Sequence, residues 1–122
     1  MNLVEQARRA YGPGNIALRS GRSAEHQVIS DVTARLQAAA SFAQCAAALH
    51  DNRRLWTRLA ADVADGANGL PPALRARIFY LAEFTHHHSR RVLRGEAGIS
   101  ALVEINTAVL RGLSRRPDEG AA

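Results

Sequence analysis

The stretch that decides the fold is Ala48-Leu49-His50-Asp51-Asn52-Arg53-Arg54-Leu55-Trp56-Thr57-Arg58-Leu59-Ala60-Ala61-Asp62-Val63. Leu49, Trp56, Leu59, Ala60 and Val63 recur at steps of three, four and seven, the period of one face of an α-helix. No Gly or Pro interrupts the run, and charge fills the positions between. It holds the only tryptophan and three arginines. A stripe of this kind packs a bundle or grips a partner, and its spacing builds no reaction centre.

Ser41 and Gln44 stand at capping-box spacing ahead of this run and predict a helix over 42–64. Ser23 predicts the N-cap of a preceding helix over 24–40, with Val28, Ile29, Val32 and Leu36 on its period. No Gly or Pro separates the two, so a continuous or a kinked join is open. Asp65-Gly66-Ala67-Asn68-Gly69-Leu70 ends the second helix, and Pro71-Pro72 suits the start of a third over 72–93. Its stripe is Leu74, Ile78, Leu81, Thr85 and Val92, with Gly95 and Gly98 closing it. Ser100 predicts the cap of a fourth helix over 100–113, with Leu102, Val103, Asn106, Val109, Leu110 and Leu113 inward. Asn2 and Glu5 suggest a short helix over 3–10.

The expected architecture is all-α: a bundle of about four main helices over 23–113. Before it stand the short N-terminal helix and a mobile linker, together 1–22. After it comes a disordered polar tail, 114–122. The composition agrees. At 122 residues the chain makes one domain, and its richness in alanine favours helix.

The net charge is +5, and all 16 basic residues are arginine. Arginine keeps its charge at any biological pH and forks onto carboxylate or phosphate. Such a balance admits nucleic acid, an anionic surface or an acidic protein as partner, although codon bias in a GC-rich genome gives the same composition. One cysteine, Cys45, forms no internal disulfide and fits a reducing compartment. The N-terminus lacks the apolar core of a secretory signal, and no stretch is apolar enough to span a membrane. A cytoplasmic protein without membrane insertion is the expectation.

The run Phe79-Tyr80-Leu81-Ala82-Glu83-Phe84 is the second strong signal. Three aromatics within six residues form either an exposed patch that receives an amphipathic helix or the all-round apolar surface of a central helix. Arginine doublets at Arg8-Arg9, Arg53-Arg54, Arg90-Arg91 and Arg115-Arg116 would serve RNA only if they shared one face with free aromatics. Otherwise they solvate the surface, with Asp51 near Arg54 giving local relief. His86-His87-His88 resembles a metal tract, but consecutive helical residues point about 100° apart and cannot converge on one ion. These histidines are expected at the surface, and neither a metal nor any other cofactor is expected. Cys45 reads as small core filler. Asn106, inside an apolar stripe, is either a buried amide that fixes register or a polar contact for a partner. No phosphate loop, nucleophile elbow or paired acids in an apolar setting occurs, which points away from an enzyme.

Several blocks together carry a family resemblance. They are Leu49-His50-Asp51-Asn52-Arg53-Arg54-Leu55-Trp56, Leu59-Ala60-Ala61-Asp62-Val63, Asn68-Gly69-Leu70-Pro71, Ile78-Phe79-Tyr80-Leu81-Ala82-Glu83-Phe84-Thr85 and Glu104-Ile105-Asn106-Thr107-Ala108-Val109. In this order they closely resemble the FlaF family, flagellar biosynthesis regulators of alphaproteobacteria. The resemblance runs from about residue 7 to residue 113. His86-His87-His88, and His26 after Glu25, depart from the family pattern. The resemblance implies a cytoplasmic, non-enzymatic, chaperone-like factor that acts on flagellin and promotes its synthesis and export through the flagellar type III secretion system. It implies FlbT, which governs translation of flagellin mRNA, as an opposing regulator. FlbT, the export gate and RNA stand as alternative partners. The residues expected at a partner surface are Arg53, Arg54, Trp56, Phe79, Tyr80, Phe84 and Asn106. A homodimer seam is equally open.

Overall fold

A computed structural model describes residues 16–114, which form four helices: α1 (Ile16–Ala38), α2 (Phe42–Ala64), α3 (Pro72–Leu93) and α4 (Ser100–Ser114). No strand occurs among the described residues. The helices run up and down in chain order. α2 packs most extensively against α3, α4 lies against α1, and α1 joins the two pairs through α2. The short helix expected over 3–10 lies outside the described residues, as does the tail from residue 115.

The boundaries of α2 and α3 agree with the sequence, because side chains that act locally set them. Ser41 adopts an extended backbone (φ −137°, ψ 164°), and its hydroxyl accepts the Gln44 N–H. The Gln44 carboxamide in turn accepts the Ala40 N–H at 2.8 Å. This reciprocal cap separates α1 from α2 without Gly or Pro, which answers the question of continuity. Pro72 begins α3, where a missing N–H costs nothing. Gly95, at φ 75°, ends it. The Gly95 N–H reaches the Val92 carbonyl and the Glu96 N–H reaches that of Arg91, the paired bonds of a Schellman motif.

α1 departs from expectation. It begins at Ile16, so Ser23 lies within the helix and does not cap it, and residues 16–22 are helical rather than linker. Gly21 inside the helix misled the reading; an interior glycine costs only about 1 kcal/mol and a long helix absorbs it. α4 also differs slightly. The Ile99 carbonyl accepts the Val103 N–H, so Ser100 is the first helical residue rather than the cap.

The turn from α2 to α3 is held by side chains. The Asp65 carboxylate accepts the Ala67 N–H, and Asn68 donates to the Asp62 carbonyl. Arg75, one turn into α3, reaches back to the Val63 and Asp65 carbonyls. Its guanidinium thereby satisfies carbonyls left open at the end of α2.

Two apolar clusters fill the interior. One is built from Ile29, Val32, Leu55, Trp56 and Ala82, with Leu59, Ala60, Ile78, Leu81, Ile105, Val109 and Leu110 packed against it. The other is built from Leu36, Ala48, Leu49 and Leu102, with Cys45, Val92, Leu93, Ile99 and Val103 around it. Cys45 is small core filler, as its place on the stripe suggests. Each helix also contributes buried polar residues, which form a polar layer in the interior: Thr33, Asn52, Thr85 with Ser89, and Asn106.

Candidate functional site

Trp56 and Asn106 belong to this polar layer and not to the surface. Each is 1 % exposed. The indole Nε1–H donates to Asn106 Oδ1 at 2.9 Å. Since indole only donates, this bond fixes which way the amide points. Asn106 Nδ2 then donates to Thr33 Oγ1 at 3.1 Å and to Asn52 Oδ1 at 2.8 Å. The Thr33 hydroxyl itself donates to the Ile29 carbonyl at 2.7 Å. Three helices are thus tied through one amide. Asn52 Nδ2 and Thr85 Oγ1 are buried without a partner. The expectation that Trp56 contacts a partner is corrected: its stripe faces the core. Of the two readings of Asn106, the buried amide is the one observed.

The three aromatics of α3 part company. Phe79 is 46 % and Tyr80 67 % exposed. Phe84 is half-buried and stacks on His88, with ring centroids 5.3 Å apart and planes 18° from parallel. Helical spacing sets Tyr80 and Phe84 near one another at i, i+4, and sets Phe79 with His86 on the other side of the exposed face. The all-round buried helix is therefore not what forms; α3 keeps an aromatic outer surface. On the Phe84 side, α3 and α4 are the chain neighbours that pack least. The apolar side chains there, Leu81 of α3 and Ile105 and Val109 of α4, are only partly buried.

On the other side, α2 and α3 frame an open cleft of about 520 Å³ lined by His50, Arg53, Arg54, Thr57, Arg58 and His86. Arg54 and Arg58 are exposed and Arg53 is half-buried. Arg53 Nε is enclosed by protein without an acceptor. The relief expected from Asp51 goes elsewhere, since that carboxylate pairs with Arg35 at 3.6 Å. Among the described residues, none of the three cleft arginines makes a salt bridge.

The histidine tract occupies three environments, as a 100° step requires. His87 is exposed. His88 is 8 % exposed, which corrects its assignment to the surface. Its Nε2 donates to the Gly98 carbonyl at 2.9 Å and ties α3 to the loop before α4. His86 is half-buried, with Nε2 3.3 Å from Thr57 Oγ1. The Thr57 hydroxyl already donates to the Arg53 carbonyl, so the imidazole is the donor. Burial and the Arg53 guanidinium lower the His86 pKa below 6.5; Glu83 opposes the shift and Arg90 adds to it. Among the described residues, no group of three His, Cys, Asp or Glu is placed to hold a metal ion. No described helix is long and apolar enough to cross a membrane.

A family model described as Flagellar protein FlaF matches residues 7–113. The chain belongs to the FlaF family. No curated protein and no solved structure matches it. The blocks that carry the FlaF resemblance divide between interior and surface. Asn52, Leu55, Trp56 and Asn106 build the buried layer and its flank, whereas Arg54, Phe79 and Tyr80 face outward. Sequence reasoning missed Arg58, His50 and His86 as neighbours of the Arg53-Arg54 doublet. The i, i+4 spacing of His50, Arg54 and Arg58 was the available signal.

Proposed function

We propose that this FlaF-family protein is a non-enzymatic, cytoplasmic factor that binds flagellin and acts as its chaperone, promoting its synthesis and its export through the flagellar type III secretion system. Family membership supports a flagellar role. The observation that carries the binding mode is the loosely packed seam between α3 and α4, with half-buried Leu81, Phe84, Ile105 and Val109 and the exposed Tyr80 at its edge. An amphipathic segment of flagellin laid in this seam would bury its apolar face much as a fifth helix would.

Calorimetric titration of purified flagellin at low and high salt tests this. Saturable binding that survives high salt is expected, because apolar burial is little screened. Tyr80→Glu should abolish it, while Phe79→Glu, on the far side of α3, should leave it nearly intact. Equal loss from both variants, or from neither, would place the site elsewhere. Absence of binding by the unmodified protein would overturn the flagellin reading in favour of FlbT, the export gate or flagellin mRNA.

A further inference from the structure

The α2–α3 cleft lies on the side of α3 away from that seam, and its chemistry is different. We propose that it is a binding site for a phosphate-bearing ligand, held by Arg53, Arg54 and Arg58 with His50 and His86 at its walls.

Charge is the first ground. Three guanidiniums line one cleft of about 520 Å³, and among the described residues none makes a salt bridge. Arg54 and Arg58 stand at i, i+4, a spacing at which like charges repel. The nearby carboxylate of Asp51 is turned to Arg35. The cleft therefore gathers positive charge that the protein does not compensate, a condition a bound anion relieves.

Donor geometry is the second ground. Arg53 Nε is enclosed without a hydrogen-bond acceptor. Its backbone carbonyl is taken by the Thr57 hydroxyl, and that hydroxyl is in turn approached by His86 Nε2. These bonds fix Thr57 and His86 in place, so the donors the cleft offers a ligand are the guanidiniums. Forked guanidinium donors match the oxygens of a phosphate, and bidentate pairing is the strong form of that contact.

Ligand charge density separates phosphate from carboxylate. A compact polyphosphate or two adjacent phosphodiesters put two or more negative charges within the reach of residues spanning two helical turns. An acidic peptide spreads its charge over separate side chains, one per carboxylate, whereas a polyphosphate concentrates several charged oxygens in one compact group that forked guanidiniums can share. Two sources fit the chemistry, a free polyphosphate group or the backbone of a single-stranded nucleic acid. Phe79 stands on the His86 face of α3, two turns along, with its ring exposed for stacking if the source is a nucleic acid.

The test is calorimetric titration of the full chain with pyrophosphate, a short oligouridylate and a short oligoglutamate, at low salt. The comparison protein carries Arg54→Gln and Arg58→Gln, two exposed positions whose loss leaves the core untouched. Circular dichroism should show the double variant as stable as its parent or slightly more so. Binding of either phosphate probe is expected to weaken by about tenfold or more in the double variant. Pyrophosphate binding identifies a compact polyphosphate source. Binding of the oligouridylate alone, with affinity falling steeply as salt rises, identifies a nucleic-acid backbone. Three results would overturn the proposal: no binding of either phosphate probe, binding that the double variant retains in full, or tighter binding of oligoglutamate than of both phosphate probes.

Discussion

α3 has two flanks, and they are built on opposite terms. Against α2 its backbone comes close, and Ala82 and Ser89 are buried along its inner face. Arg75 adds a hydrogen bond from α3 to α2 beside the connecting turn, and His86 adds one farther along both helices. Against α4 the packing is slight, and the hydrogen bond on that side, from His88 to the Gly98 carbonyl, is made at the connecting loop. Small side chains such as Ala82 and Ser89 let two helices approach closely. The closed flank leaves charge at its rim, and the open flank leaves apolar surface. One helix thereby offers two chemically distinct faces.

The strongest way to break this contrast is to remove what ties α1, α2 and α4 together around α3. Asn106→Ala would strip Trp56 Nε1, Thr33 Oγ1 and Asn52 Oδ1 of a partner at once, and should cost about 3–5 kcal/mol. Urea unfolding followed by circular dichroism reads the loss. A cost below about 1 kcal/mol would mean that the layer contributes little to stability.

A second pair of variants sharpens the contrast between the flanks. Ala82→Leu adds bulk where α3 is fully packed and should destabilise by about 1–3 kcal/mol. Leu81→Phe adds bulk on the open side and should cost less than about 1 kcal/mol. Equal costs would show that the open seam closes in solution.

The loop tie is weaker. His88→Ala removes the bond to Gly98 and the stack under Phe84, and should cost about 1–2 kcal/mol. Amide hydrogen exchange should quicken over residues 94–99 and stay unchanged in the α2–α3 turn.

The smallest effect is on pH dependence. The folded state holds the His86 pKa below 6.5, so the unfolded chain binds more protons as pH falls through that value and beneath it. Stability from this group is present above pH 6.5 and is lost on acidification. The loss is small, because the ring is only half-buried and solvent screens the arginines. His86→Gln should flatten the fall in melting temperature between pH 7 and pH 5, and an unchanged profile would show that His86 does not set it.

The limits of α2 and α3 were legible because their signals are local: Ser41 and Gln44, Pro72, and Gly95 each act within a turn of their own position. The start of α1 was not legible, since a glycine that weakens a helix does not forbid one. The stripe of α2 was legible, but its destination was not. Trp56 fits a partner groove as well as a core until Asn106, 50 residues away, is seen to accept its N–H. The polar layer left a trace in the sequence, because Asn52, Thr85 and Asn106 each stand on an apolar stripe. Only the bond from Asn106 to Asn52, across 54 residues, turns separate polar residues into one structure. The basic cleft stayed hidden for the same reason, since His86 comes from a different helix than the arginines.

The indole of Trp56 gives the bundle a built-in optical reporter. It is the chain's only tryptophan, fully enclosed, with its N–H anchored to an amide that also holds two other helices. Selective excitation of this ring yields a single emission band, blue-shifted while the four helices are closed and red-shifted when they open. A ligand on either flank of α3 leaves that colour unchanged if it merely docks. A ligand that instead pries the bundle apart shifts the emission to longer wavelength, so one fluorescence spectrum separates docking from unfolding without any added label.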